Sequence, residues 1–298
     1  ASNVAIGSGA LQANITASFN TAVGKDALKL ATAGDNVAVG AMALDAMTSG
    51  TRNVAVGDNG LGATTTGSHN TALGGNNMQA NTTGANNVSV GSGSLTANTT
   101  ASNNTAVGYV ALGSNTIGSQ NVAVGALALD ANTDASLCVA VGYESLTANT
   151  TGVFNTAVGG KALQSNTTAA RNTAVGQVAL RDNTTGANNT SVGDNSLVSN
   201  TTGQQQVAVG AFALDAATTG DLNTAVGYAA MSSATTGHSS VAVGNQALFS
   251  TTTGENHVAV GVNALLSNTT AVANTAIGRD SLKLNTTGTQ NVAVGAFA

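Results

Sequence analysis

Glycine recurs along this chain at a fixed step, and that step decides most of what the chain can become. Eighteen glycines, from Gly7 and Gly24 through Gly108 to Gly278 and Gly295, each close a near-copy of the stretch Asn104 to Gly108, NTAVG. Sixteen of the 17 intervals between them are 17 residues long, and the exception, Gly24 to Gly40, is 16. A fixed short period is the signature of a repeat array. Residues 1–298 therefore read as one continuous array with no place for a domain boundary.

Aligned on the glycine, the repeat is N-[TV]-A-V-G-x-x-A-L-x-x-N-T-T-G-x-x. Val107 and Thr105 stand on either side of Ala106; the central residue is Ala in 16 copies and Ser in two, Ser89 and Ser191, and the flanking residues are β-branched except Leu73. Such a triplet predicts a short strand, with the branched pair on one face and Ala on the other. The larger side chains are expected to face a thin core of leucine, represented by Leu112, and the alanines to face another chain. A second extended piece is expected around the Ala-Leu pair. NTTG reads as a turn, since Asn and Gly tolerate left-handed backbone and Thr bonds locally. Five copies carry Ala in place of that Gly (Ala17, Ala101, Ala135, Ala169 and Ala271), so smallness counts there more than handedness. The strand-closing glycine is never replaced and is the better candidate for a special backbone angle.

A unit of 17 residues is too short for a helix pair or a propeller blade and suits one coil of a parallel β-solenoid. The fold class is all-β, with about 17 coils. Stacking turns Gly108, Val107, Ala106, Leu112 and Thr116 into rungs of structural ladders. One leucine per coil is little apolar bulk for so many ordered residues, which predicts that several chains pack side by side. A slower rhythm is superposed: Asp45, Asp130 and Asp215 share the setting A-x-A-L-D and lie 85 residues apart, as duplication of a five-coil block would leave them.

Composition excludes more than it identifies. Charged residues are 7% and aromatics 3%, with no proline and a net charge of −5 spread without runs, so no footprint for nucleic acid or an anionic membrane exists. No stretch approaches the roughly 18 apolar residues of a membrane span. The chain starts and stops partway through a repeat and reads as a portion of a longer protein. Enzymatic chemistry needs converging acid and base groups on loops that build a cleft, and neither is present in this pattern; no cofactor or metal site is expected. His69, His238 and His257 occupy unrelated repeat positions, as surface or ladder residues would. Asp26, Asp58 and Asp194, one or two places after their glycines, are expected to be solvated. Cys138 stands where Asn is usual and reads as a tolerated small residue. Eight N-T-T copies match the glycosylation acceptor pattern, but their turn role accounts for them. Recognition could reside at variable positions: Tyr109, Tyr143 and Tyr228, directly after their glycines, are the candidate ligand contacts. Lys29, Arg181, Phe249 and Lys283 vary five places after theirs.

With N-x-A-V-G and x-A-L arrayed in this way, the sequence resembles the YadA-like head repeats of trimeric autotransporter adhesins; NVAIG (Asn3 to Gly7) and NTAIG (Asn274 to Gly278) come closest to that motif. The repeats are also similar to those of phage tail fibres. The resemblance covers the whole chain, although the coil is longer than the usual head repeat and no neck, stalk or anchor is included. It implies a left-handed β-roll, a homotrimer about one axis, and an extracellular adhesive role at a bacterial surface or virion tail, with a host-cell surface, glycan or matrix polymer as partner. A purely structural filament or sheath subunit is the alternative. Ice binding, prompted by the threonine ladder, is disfavoured because adjacent Thr residues point to opposite faces.

Overall fold

The computed structural model describes residues 2–298. The chain forms two compact units, Ala1–Thr151 and Gly152–Ala298. Each is a parallel β-solenoid of nine three-residue strands, Val4–Ile6 to Val139–Val141 in the first and Thr156–Val158 to Val292–Val294 in the second. No helix occurs among the described residues. Strands pair in register with the next coil: Thr105 with Val122, Ala106 with Ala123 and Val107 with Val124 in the first unit, Thr156 with Thr173 through Val158 with Val175 in the second.

The strand ends at its glycine because the backbone there leaves the region open to other residues. Gly108 has φ +139°, and every repeat glycine lies between +126° and +141°. The Gly108 carbonyl then accepts the N–H of Ala111 at 3.4 Å, closing a turn whose third residue, Val110, has φ 55°. Leu112 follows at φ 53°, and its carbonyl accepts the N–H of Asn115 at 3.2 Å. The Ala-Leu pair thus lies in two consecutive turns rather than in a second extended piece. Turn backbone still pairs coil to coil, as in Leu112 N–H to Ala128 O at 3.0 Å.

The strand faces are the reverse of the expectation. Ala106 and its equivalents from Ala22 to Ala276 point inward and are fully buried, apart from Ser89 and Ser191, which stand in the same column and are also buried. The branched residues point outward; Val175 is 37% and Val192 36% exposed. The reason is volume. The coil interior already holds Leu112, Ala111 and two asparagines, all fully buried, so a further large side chain has no room.

Those asparagines form two internal ladders. In the first, Asn104 N–H donates to Asn87 Oδ1 at 3.0 Å while Asn104 Nδ2 donates to Gly118 O at 2.9 Å. In the second, Asn115 Nδ2 donates to Asn98 Oδ1 at 3.1 Å and to the same Gly118 carbonyl at 2.9 Å. Asn115 is therefore not the turn residue that NTTG suggested; its φ is not positive. Buried amides that satisfy each other along the stack add directional order to a core with little bulk. The Thr116 hydroxyl and N–H both donate to Thr133 O, at 3.0 and 2.9 Å.

The 16-residue coil shows which place the stack can lose. Thr32 keeps its rung, with Oγ1 to Thr48 O at 2.9 Å. Asn20 Nδ2 then finds its acceptor on Ala33, one residue later, where other coils place it two residues later. The missing residue is the second threonine of the pair, which is exposed elsewhere, as at Thr83 and Thr185.

Candidate functional site

With the interior committed to Ala, Leu and Asn, recognition is left to the outward columns. Tyr109 is 62%, Tyr143 53% and Tyr228 52% exposed. Tyr109 and Tyr143 belong to the first unit, two coils apart, and Tyr228 to the second. A hydrogen bond to the Glu144 carboxylate, with that group's charge, raises the Tyr143 phenol above its ordinary value. Tyr228 meets the ring of Phe212, one coil earlier, edge to face at 5.9 Å and 76°.

Beside Tyr228 the column residues differ in size from coil to coil. Two places after their glycines stand Phe212, Ala229 and Gln246; five places after stand Asp215, Ser232 and Phe249. The middle coil carries the two small residues, which leaves a depression of about 250 Å³. A larger depression of about 530 Å³, beside Leu282 and Phe297, is bounded by the terminal residue Ala298 and reflects the last coil's own edge.

Titratable residues serve the coils. His257 takes an asparagine's place in the first ladder: Nδ1 accepts Asn274 N–H at 3.2 Å and Nε2 donates to Ala271 O at 2.8 Å. Burial lowers its pKa below the ordinary value, against the raising effect of its backbone hydrogen bonds. His69 is exposed beside Arg52, 3.3 Å away, and His238 pairs with Glu255 at 2.9 Å. Cys138 is fully buried in the same asparagine column, where its N–H donates to Asn121 Oδ1 at 3.0 Å. Asp58 and Asp194 are exposed as expected, whereas Asp26 is partly covered and pairs with Lys29 at 3.2 Å. Asp45 and Asp130 have raised pKa values, chiefly through burial. Asp215, their counterpart in the five-coil rhythm, has a buried Oδ1 with no hydrogen-bond partner.

Two sequence motifs lose their chemical reading in this geometry. The asparagines of the N-T-T copies from Asn81 to Asn268 are fully buried, so their amides cannot carry a glycan in the folded coil. In the threonine pair the first hydroxyl is consumed by the next coil, as at Thr184 to Thr201 O, 3.0 Å, and the second is exposed. One free column results, not paired ranks.

The positive-φ residues were missed by sequence reasoning. Besides the glycine, three positions per coil take φ near 45° to 64°: two places after it, at the leucine, and two places before the next strand, as at Val110, Leu112 and Gln120. Gly9, Gly93, Asn59, Asn76, Asn195 and Asn263 at the first of these are a legible signal; a column of leucines is not.

Neither a protein-family model nor a characterised protein matches this sequence.

Proposed function

We propose that this chain is a segment of an extracellular trimeric fibre that projects, or itself forms, a receptor-binding region on a bacterial cell or phage tail. The observation that carries the reading is the outer strand face. Val158, Val175, Val192, Val209, Val226, Val243 and Val260 form a continuous column in the second unit, each 36 or 37% exposed. Regular β-branched columns of this length are more apolar than a solitary chain ordinarily leaves in water. Three copies packed side by side, wound as a left-handed roll as in the resembling head repeats, would cover them. The remaining outward columns, including Tyr109, Tyr143 and Tyr228, would then meet a host surface, glycan or matrix polymer. Sedimentation equilibrium should give three times the 28.7 kDa chain mass. A folded monomer would sink the trimer, and a trimer binding no cell, glycan or matrix protein would leave only a spacer.

The filament or sheath reading draws on the uniformity of the coils, whose only departure in length is the 16-residue one. It requires end-to-end polymers in electron micrographs, which a fibre segment bearing a recognition surface does not.

A further inference from the structure

The depression on the second unit combines aromatic side chains with a carboxylate and an amide, and its shape follows from three consecutive coils. Phe212 and Asp215 lie on the first, Tyr228 with Ala229 and Ser232 on the second, and Gln246 and Phe249 on the third. Ala229 is only 4% exposed, so it and Ser232 make the floor, one coil deep between larger neighbours. The two columns are out of step: Phe212 stands diagonally opposite Phe249, and Asp215 diagonally opposite Gln246. The notch therefore alternates apolar and polar corners. Its rims are fixed by backbone bonds from coil to coil, Ala229 N–H to Ala211 O and Gln246 N–H to Tyr228 O, both 2.9 Å, and Ser233 N–H to Phe249 O at 3.1 Å. No folding of a loop is needed to assemble it, which lowers the ordering cost of binding.

Two features point to a ligand. The Phe212 and Tyr228 rings hold each other edge to face, yet both remain exposed, at 36% and 52%. Asp215 lines the notch, and its Oδ1 is buried without a hydrogen-bond partner, a costly state that a turn of the carboxylate toward an incoming donor would relieve. We infer that this notch binds one neutral hexopyranose unit of a glycan. The C–H face of the sugar lies on an aromatic corner, as amphipathic rings favour. Its hydroxyls donate to Asp215 and exchange hydrogen bonds with Gln246 and Ser232, whose groups can act as donor or acceptor. A bare organic cation would satisfy the carboxylate and the ring faces but would leave the amide and hydroxyl without use, which is why the sugar is favoured. This inference rests on the receptor-binding reading above and gives it a ligand class.

Saturation-transfer NMR on the full chain, with the methyl β-pyranosides of glucose, galactose and N-acetylglucosamine as probes, tests it. At least one glycoside should receive saturation at its ring C–H protons. Ala229→Asn should weaken that binding by about tenfold or more, a loss of about 1.4 kcal/mol, because it fills the notch. The same change places Asn at φ 51°, a backbone Asn accepts more readily than Ala, so the melting temperature should hold or rise. Phe249→Ala should also weaken binding, while Phe154→Ala, an exposed aromatic of the same unit outside the notch, should not. The inference is overturned if none of the three glycosides binds, if Ala229→Asn binds as the parent does, or if tetramethylammonium alone binds and is lost in that variant. Sedimentation on the same samples separates the two readings. A trimer without glycoside binding retains the fibre and ends the notch; a monomer that binds retains the notch and ends the fibre.

Discussion

At the residue scale, two glycine columns that are both closely packed differ in backbone angle and so in tolerance. A Cβ on Gly108 would sit 2.5 Å from the carbonyl of Gly125, on a backbone at φ +139°. Gly118 lacks positive φ and shares its column with Ala101, Ala135 and Ala169, but a Cβ there would sit 2.2 Å from the Ala135 carbonyl oxygen, so the coil must shift to admit it. Gly108→Ala, which meets both the clash and the backbone angle, should cost about 3 kcal/mol, and Gly118→Ala, which meets the clash alone, about 1 to 2 kcal/mol, read from urea denaturation midpoints. The asparagine column gives two further outcomes. Gln206 donates from Nε2 to Asn200 Oδ1 at 2.9 Å but leaves its buried Oε1 without a partner. Gln206→Asn should restore the rung and stabilise the chain by about 1 to 2 kcal/mol in the same measurement. His257 fits only as the neutral ring, because a proton on Nδ1 would face the Asn274 N–H. Its pKa is depressed in the folded chain, so the unfolded chain binds the proton first. The histidine's contribution is thus full above about pH 6.5 and lost as pH falls below it. His238 and Glu255 form a separate, exposed pair at 2.9 Å. His257→Asn should flatten the fall in melting temperature between about pH 7 and pH 5 relative to the parent; equal slopes would show that the imidazole is not the acid-labile rung. The glycine's special angle was legible because no copy replaces it. Stacking into ladders also followed from the period, but the place of the asparagines inside the coil did not, since a period in Asn reports neither burial nor partner.

At the scale of the coil, the strand's position was legible and its orientation was not. Alternation divides side chains between two faces, but size and polarity alone assign Val rather than Ala to the interior. What decides is the cross-section: Leu112, Ala111, Asn104 and Asn115 are all fully buried within one coil, and that fact appears only when the coil closes. The second extended piece failed for a related reason. Leucine gives no sign of positive φ, yet Leu112, Leu129 and Leu146 adopt it at 51° to 53°, held by burial and by turn hydrogen bonds. Paired substitutions, by contrast, were available to a reader of the sequence. The two coils with Ser in the strand, Ser89 and Ser191, also carry Ser five residues later, and Ser89 bonds Ser94 as Ser191 bonds Ser196. A buried hydroxyl enters the core only with an acceptor beside it. The short coil turns this into a prediction about length. Deleting Thr185, the exposed member of its pair, reproduces the natural omission and should leave a cooperatively melting protein. Deleting Asn183 removes donors to Asn166 Oδ1 at 3.0 Å and Gly186 O at 2.9 Å and shifts the following rungs out of register, so cooperative melting should be lost. Circular dichroism melts of the two variants distinguish the outcomes; equal behaviour would mean that length rather than the ladder sets the coil.

At the scale of the molecule, the inversion of the strand faces changes what any second chain would touch. Alanines that were expected to need an outside cover are already inside, and the β-branched residues take their place as the surface that water meets. In the second unit that surface alternates Thr and Val three places before the glycine, Thr173, Thr190, Val207, Thr224, while the column next to the glycine stays Val or Ile throughout. A column of Val and Ile flanked by a half-polar one suits an interface whose centre is dry and whose margin is wet. Because these side chains point away from the core, they can be changed without disturbing it. Val175→Lys, Val192→Lys and Val209→Lys made together should leave the melting temperature of the isolated chain nearly unaltered, since outward substitutions usually cost less than about 0.5 kcal/mol each. The same three charges on each copy would meet near a common axis, where like charges without partners cost several kcal/mol. Sedimentation should then report single folded chains. A variant that still sediments as a trimer would place the contact on another column, with the turn residues beside Tyr109 and Tyr228 the next surface to alter.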